Sequence, residues 1–219
     1  MKNATQYIAI IGDLVESRKL VNRDLIQENL NKTLQSVNNS SYNESIRSKF
    51  VITLGDEFQG LVSRDFPLRQ FLSDYDNFFG QNINTRFGIG LGELSTSLNI
   101  DAIGMDGSCF HNARAALNQS KKENNYIVFN GFEMNEAINA LFQLVNDIKK
   151  HWKKRQIEVI SIYENVGDQV SVAKKLNITR QTVNEIIRAS KYELFKLGWT
   201  GIQQLIIHES ETAKSGAKD

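Results

Sequence analysis

Phe50-Val51-Ile52-Thr53-Leu54, then Gly55-Asp56, then Glu57-Phe58-Gln59-Gly60-Leu61-Val62, is the stretch from which the fold is read. Two apolar runs joined by a tight Gly/Asp turn predict a β-hairpin. Upstream, Tyr7-Ile8-Ala9-Ile10-Ile11 is a continuous apolar run that ends at Gly12-Asp13. It reads as a central strand buried on both faces. Between the two, Leu25, Leu30, Leu34 and Val37 sit near helical spacing over residues 22–37.

Downstream of the hairpin, Pro67 marks the start of a helix, where its missing N–H costs little. That helix carries Leu68, Phe71, Leu72, Tyr75 and Phe78-Phe79. Thr85 to Leu94 predicts a strand in which Gly88, Gly90 and Gly92 alternate and leave one face bare. Such a face invites a helix, backbone or ligand to come close, a helix being the simplest occupant. Asp106-Gly107-Ser108 leads into a helix as far as Leu117, and Tyr126-Ile127-Val128-Phe129 is a last strand. The order β-α-β-β-α-β-α-β predicts an α+β domain with a central hairpin and helices packed on one face. Residues 130–145 read as a bridge to the next part of the chain.

The net charge of +1 hides an asymmetry. Residues 1–148 hold 13 Lys+Arg against 17 Asp+Glu, and residues 149–219 hold 13 against 8. A basic C-terminal third suggests an anionic partner. There Gln169 to Arg188 fits a helix-turn-helix. Val172 and Leu176 form an inner face, Ala173 permits a close crossing, and Asn177 tolerates the turn. Ile178 plugs the core, Thr179 caps the second helix, and Val183, Ile186 and Ile187 line its buried stripe. Thr179, Arg180, Gln181, Asn184 and Arg188, with Glu185, then form the surface offered to duplex DNA. Trp152, Ile157, Ile160 and Ile162 of a preceding helix at 151–165 would pack beneath it, with Trp199 and Leu194 to Leu197 as further core. The expected boundaries are an α+β domain at 1–135, a helix-turn-helix domain at 136–210 and a disordered tail at 211–219. A palindromic DNA site would call for a homodimer.

Several function classes are set aside by composition. No apolar run approaches the roughly 20 residues of a membrane span, and no secretory signal is visible. One cysteine, Cys109, allows no internal disulfide and fits a cytoplasmic protein. It reads as a small buried hydrophobe, and His111 as a packed or hydrogen-bonded residue rather than a general base.

Asp13 and Asp56 each follow a strand and a glycine. If the first strand and the hairpin are neighbours, their carboxylates can converge on one cation, which with phosphate oxygens suits Mg2+ and a nucleoside triphosphate. Ser17, Arg18, Lys19 and Arg23 are the candidate phosphate-binding residues, near a helix start.

The pieces Ile10-Ile11-Gly12-Asp13-Leu14-Val15-Glu16-Ser17-Arg18 and Thr53-Leu54-Gly55-Asp56-Glu57-Phe58-Gln59-Gly60, with Gly104-Met105-Asp106-Gly107 and Ala113-Arg114, resemble the SatD family of bacterial proteins. That family is linked to an operon for protein secretion and acid tolerance. A more distant similarity is to class III nucleotidyl cyclases and diguanylate-cyclase-type palms, which implies a ferredoxin-like palm with metal-binding Asp13 and Asp56. It also implies Arg114 as a transition-state residue. The Asn that accompanies that Arg in the cyclases falls on Phe110, and their purine-reading Lys on Ile52.

The expected function is that of a regulatory protein with a nucleotide- and Mg2+-sensing palm and a DNA-binding helix-turn-helix. The alternatives are a nucleotidyl cyclase or related nucleotidyltransferase with Asp13, Asp56 and Arg114 as catalytic residues, and a degenerate palm that serves as a protein-interaction module.

Overall fold

In the computed structural model the described residues are 5–15, 23–79 and 84–215, with side chains described as far as residue 207. The chain divides into two compact units, 1–135 with 205–219, and 136–204.

The first unit is built on β1 (Gln6–Leu14), α1 (Arg23–Asn38), β2 (Ile46–Leu54), β3 (Glu57–Val62), α2 (Leu68–Phe79), β4 (Thr85–Glu93), α3 (Ser108–Glu123) and β5 (Ile127–Asn130). The sheet order is β2-β3-β1-β4-β5. The first four strands pair antiparallel, and β5 runs parallel to β4. Taken without α3 and β5, this is the split βαββαβ arrangement of ferredoxin-like folds. β1 lies between β3 and β4, with Ile8 to Ile11 buried, which is why its sequence shows no alternation.

An aromatic layer covers one face of the sheet. Phe50, Phe58 and Phe87 from the strands meet Phe71 and Tyr75 of α2, with Phe50–Phe71 centroids 5.1 Å apart and Tyr75–Phe87 5.3 Å. α1 packs beside α2 and against β2. The opposite face belongs to α3. There Ala9, Ile11 and Leu61 of the sheet form one cluster with Cys109, Phe110, Ala113 and Leu117. Helices therefore cover both faces, where the sequence reading placed them on one. The physical reason is the parallel β4–β5 pair. Its crossover helix must lie on the sheet, and the aromatic layer already fills the other side.

The alternating glycines of β4 admit α3 at backbone distance. A Cβ on Gly88 would stand 2.1 Å from the Ala113 carbonyl oxygen, and one on Gly90 would stand 2.1 Å from the Ala113 nitrogen. Ala9 and Ile11 of β1 lie beside Gly90 and Gly88 in register, so the contact continues onto the central strand. The outer edge of β2 is covered by residues 100–102. Lys49 N donates to Ile100 O at 2.8 Å, and Ala102 N donates to Lys49 O at 3.1 Å.

Some expectations need correction. Leu25 and Phe78 share the helical spacing of their neighbours but are exposed, because each lies off the buried stripe of its helix. β2 starts at Ile46, earlier than its apolar run. Much of the presumed bridge at 130–145 is helical, forming α4 (Asn135–Lys150), whose buried face is Ile138, Phe142 and Val145. Those positions follow an i, i+4, i+7 pattern that the sequence already carries.

In the second unit α4 is followed by α5 (Lys154–Val166), α6 (Gln169–Leu176), α7 (Arg180–Ala189) and the part of α8 (Tyr192–Ser215) that precedes residue 205. Backbone of α8 stays helical through residues 211–215 of the expected tail, and residues 216–219 lie outside the described ones. Val159 and Ile160 are the buried core of α5, whereas Ile157 is exposed. Trp152 precedes α5; its Nε1 donates to Ser190 O at 2.7 Å, and its ring lies 4.9 Å from that of Phe195. Of the 194–197 segment only Phe195 is buried, while Leu194 and Leu197 face solvent.

The α6–α7 corner is fixed by caps. Asp168 accepts hydrogen bonds from Val170 N and Ser171 N at 2.9 Å, and the Ser171 hydroxyl and N–H hold its carboxyl below the usual value. Asn177 takes the left-handed conformation (φ 50°), and Thr179 Oγ1 accepts from Thr182 N at 3.0 Å. Val172, Ala173, Val183 and Ile187 are buried between the helices; Leu176, Ile178 and Ile186 are half-buried.

Because Gly90 faces α3 backbone rather than a flexible side chain, Gly90→Ala should destabilise the chain by about 3 kcal/mol or more. Gly104→Ala has open space and strains only the backbone (φ 68°), so it should cost about 1 kcal/mol. Urea unfolding of both variants checks the difference.

Candidate functional site

Asp13 is the penultimate residue of β1 and is paired with Glu57 of β3 on one side and Arg86 of β4 on the other. It shares the strand parity of Ala9 and Ile11, which puts it on the α3 face. Lys121 of α3 meets it there, with Nζ 2.9 Å from Asp13 Oδ1. Glu57 shares the parity of Leu61, and so the same face. Arg114 of α3 grips it with both terminal nitrogens. Nη2 donates to Oε1 at 2.6 Å, and Nη1 donates to Oε2. Hydrogen bonding to Glu57 raises the guanidinium pKa against the opposing effect of burial, and the charges of Glu57 and Asp13 add to the rise.

Two carboxylates from adjacent strands are thus matched to two cations from one side of a single helix. Seven residues separate the cations, about 10.5 Å along the axis. The carboxylates are the covered members, with side chains 15% and 14% exposed for Asp13 and Glu57. Lys121 and Arg114 are 39% and 44% exposed, so each keeps an open side.

Asp56 is in the hairpin turn after Gly55, which has φ +60°. Its carbonyl accepts from Leu14 N at 3.2 Å, so residues 13 and 56 lie on hydrogen-bonded neighbouring segments. Their surroundings differ. Asp56 lines a cavity of about 210 Å³ on the α1 side, with Leu14, Arg23, Asp24, Gln27 and Gly55, whereas the Asp13 carboxylate is held by α3. Gln27 Nε2 donates to Gly55 O at 3.1 Å and ties α1 to the turn. Arg23 faces this cavity. Ser17, Arg18 and Lys19 lie outside the described residues.

Among the described residues no three His, Cys, Asp or Glu side chains converge as a metal cage. Mg2+ does not ask for one, since it is held by one or two carboxylates together with waters and phosphate oxygens. Asp13, with Glu57 beside it and Asp56 on the adjoining turn, provides carboxylates of that kind. The open cations of α3 provide the complement to phosphate.

Other candidates contribute less. Phe110 is buried against the sheet and Ile52 half-buried on β2, so neither offers a polar group. His111 Nε2 lies 3.0 Å from Asp106 Oδ1 on an exposed surface. Burial pushes the Cys109 thiol up to about 11, which leaves it protonated. Glu57 and Lys121 were missed by the sequence reading. A usable signal was present for each: Glu57 adjoins Asp56 with the parity of Gln59 and Leu61, and Lys121 follows Arg114 by two helical turns.

On α7 the side chains of Arg180, Gln181, Asn184, Glu185 and Arg188 are exposed on one face. Gln181 Nε2 donates to Glu185 Oε1 at 3.1 Å, and Gln169 Nε2 donates to Asn184 Oδ1 at 3.5 Å. Thr179 is engaged as the cap.

The family model for SatD matches residues 7–206, which span both units. No curated protein matches the chain. Among solved structures, the catalytic core of a rhodopsin-guanylyl cyclase with converted specificity, in complex with ATPαS, aligns at 18% identity with a TM-score of 0.35. It covers 54% of this chain and 76% of that one. A bacterial light-regulated adenylyl cyclase aligns at 12% identity with a TM-score of 0.38, over 57% of this chain and 43% of its own. No helix among the described residues is long and apolar enough to cross a membrane.

A double-mutant cycle of Glu57→Gln and Arg114→Met, read by urea unfolding, should give a coupling of about 1 kcal/mol that shrinks in high salt. Zero coupling at low salt would remove the pair from the account.

Proposed function

We propose that this chain, which belongs to the SatD family, senses a nucleotide polyphosphate with Mg2+ on its sheet unit and grips duplex DNA with its helical unit. The family match spans both units, and this reading takes the two as parts of one protein's role.

The observation that carries the first half is the pairing of covered carboxylates with open cations at one end of the sheet. Arg114 and Lys121 are suited to phosphate oxygens, and Asp13, with Asp56 on the adjoining turn, is suited to a cation that accompanies them. Mg2+ supplies charge neutralisation to the phosphates when bound. Arg23, in the cavity with Asp56, offers a further cation.

Binding without turnover is the favoured form of this reading. Glu57 fixes Arg114 by two hydrogen bonds, so the guanidinium offers a ligand only its remaining donors and does not swing onto a reacting group. No polar group at Phe110 or Ile52 replaces the missing transition-state and purine contacts. A nucleotidyl cyclase or related nucleotidyltransferase, with Asp13, Asp56 and Arg114 as its catalytic set, is the second reading. Its support is the backbone bond that brings residues 13 and 56 onto neighbouring segments.

For the helical unit, support comes from the capped α6–α7 corner and the polar outer face of α7. Arg180 and Arg188 suit guanine edges or phosphates, and Gln181 and Asn184 suit adenine edges. The two amides must trade their internal hydrogen bonds for bases on binding. A homodimer would present two such faces to a palindromic site.

Thermal denaturation with ATP, GTP, CTP or UTP and Mg2+ should raise Tm for at least one nucleotide, by an amount that grows with ligand concentration. Asp13→Asn should abolish the rise. Steady pyrophosphate release would establish the enzyme instead, and no shift with any nucleotide would leave a protein-interaction module. In gel-shift titrations of duplex fragments, Arg180→Ala and Arg188→Ala should each weaken binding about 5- to 100-fold. Unchanged binding would remove α7 from the groove.

A further inference from the structure

Lys121 and Asp13 form the looser of the two pairs at the sheet end. One ammonium meets one carboxylate oxygen at 2.9 Å, whereas Arg114 is locked to Glu57 by a two-pronged fork. An ammonium on a four-carbon stem reorients more readily than a planar guanidinium in that grip. The Asp13 side chain is mostly covered, and the Lys121 side chain is the more open of the two.

This arrangement sets a condition on ligands. A cation that arrives alone must expel Lys121 from Asp13 and leave an ammonium without its partner. An anion that arrives alone must draw Lys121 off and leave a covered carboxylate unpaired, which is the costlier state. A ligand carrying both signs meets neither cost. Its metal takes the carboxylate and its phosphate takes the ammonium, and the total charge of the pair is matched before and after.

The geometry points to Lys121 as an exchange residue for a polyphosphate–divalent cation complex: it occupies Asp13 while the site is empty and passes to a phosphate oxygen when the complex binds. The inference rests on the nucleotide-sensing reading and deepens it. It selects the polyphosphate moiety, rather than base or sugar, as the part recognised at α3. It also makes metal and phosphate binding mutually dependent, by the same factor in either direction. Arg114 stays on Glu57 throughout and holds α3 in place while Lys121 moves.

The test uses the full chain, MnCl2 and sodium tripolyphosphate. Free Mn2+ is read by electron paramagnetic resonance, and the Mn2+–tripolyphosphate complex by calorimetry. Lys121→Met should bind Mn2+ alone at least about fivefold more tightly than wild type and the complex at least about fivefold more weakly. Lys122→Met, exposed one residue further on, should match wild type in both. Opposite changes are the signature, because a merely structural role for Lys121 would weaken both. Lys121→Gln replaces Lys121→Met if the latter does not fold. Unchanged or weaker Mn2+ binding in the Lys121 variant, with a wild type that binds the complex, overturns the exchange alone. A wild type that takes up neither Mn2+ nor the complex overturns the sensing reading and the exchange with it.

Discussion

The contact of α3 with β4 at Gly88, Gly90 and Gly92 is the constraint on which the first unit depends. A helix backbone at van der Waals distance from a strand needs a strand face with no Cβ, and three alternating glycines provide it. The approach is rigid because it is backbone against backbone. It sets where every α3 side chain projects. Ala113 and Cys109 settle over the glycines, Phe110 and Leu117 reach the cluster around Ile11 and Leu61, and Arg114 and Lys121 extend to the ends of β3 and β1. A bulkier β4 would lift the helix and take the two cations away from their carboxylates. The charged site is in this sense a consequence of the packing.

Much of that was legible in the sequence because it is written in local patterns. The continuous apolar run of β1 signals a strand covered on both sides, the Gly55-Asp56 turn signals the hairpin, and the glycine alternation of β4 signals a close neighbour. What escaped was non-local. Periodicity says that a helix has an apolar stripe but not which face of the sheet receives it, so α3 was expected beside α1 and α2. The partner of a charge is equally invisible to a local pattern. Glu57 meets Arg114 across 57 positions of sequence, a separation that only the fold closes. The omission of α4 has another origin: Ile138, Phe142 and Val145 do carry the helical period, and further apolar residues between them, such as the exposed Leu144, blur it.

The second unit was easier to anticipate in detail, since caps and turns are short-range. Thr179 caps α7, and Asn177 adopts the left-handed turn, both readable from residue chemistry. Burial was less readable. Ile157, Leu194 and Leu197 are apolar residues on exposed helix faces, and hydrophobicity alone does not place a residue in a core.

The most direct measurement is anomalous diffraction from a crystal of the full chain grown with Mn2+ and a non-hydrolysable nucleoside triphosphate analogue. The expected result is a manganese peak about 2 Å from an Asp13 carboxylate oxygen, with Lys121 Nζ on a phosphate oxygen. A nucleotide bound elsewhere, or one bound while Lys121 still rests on Asp13, would contradict it.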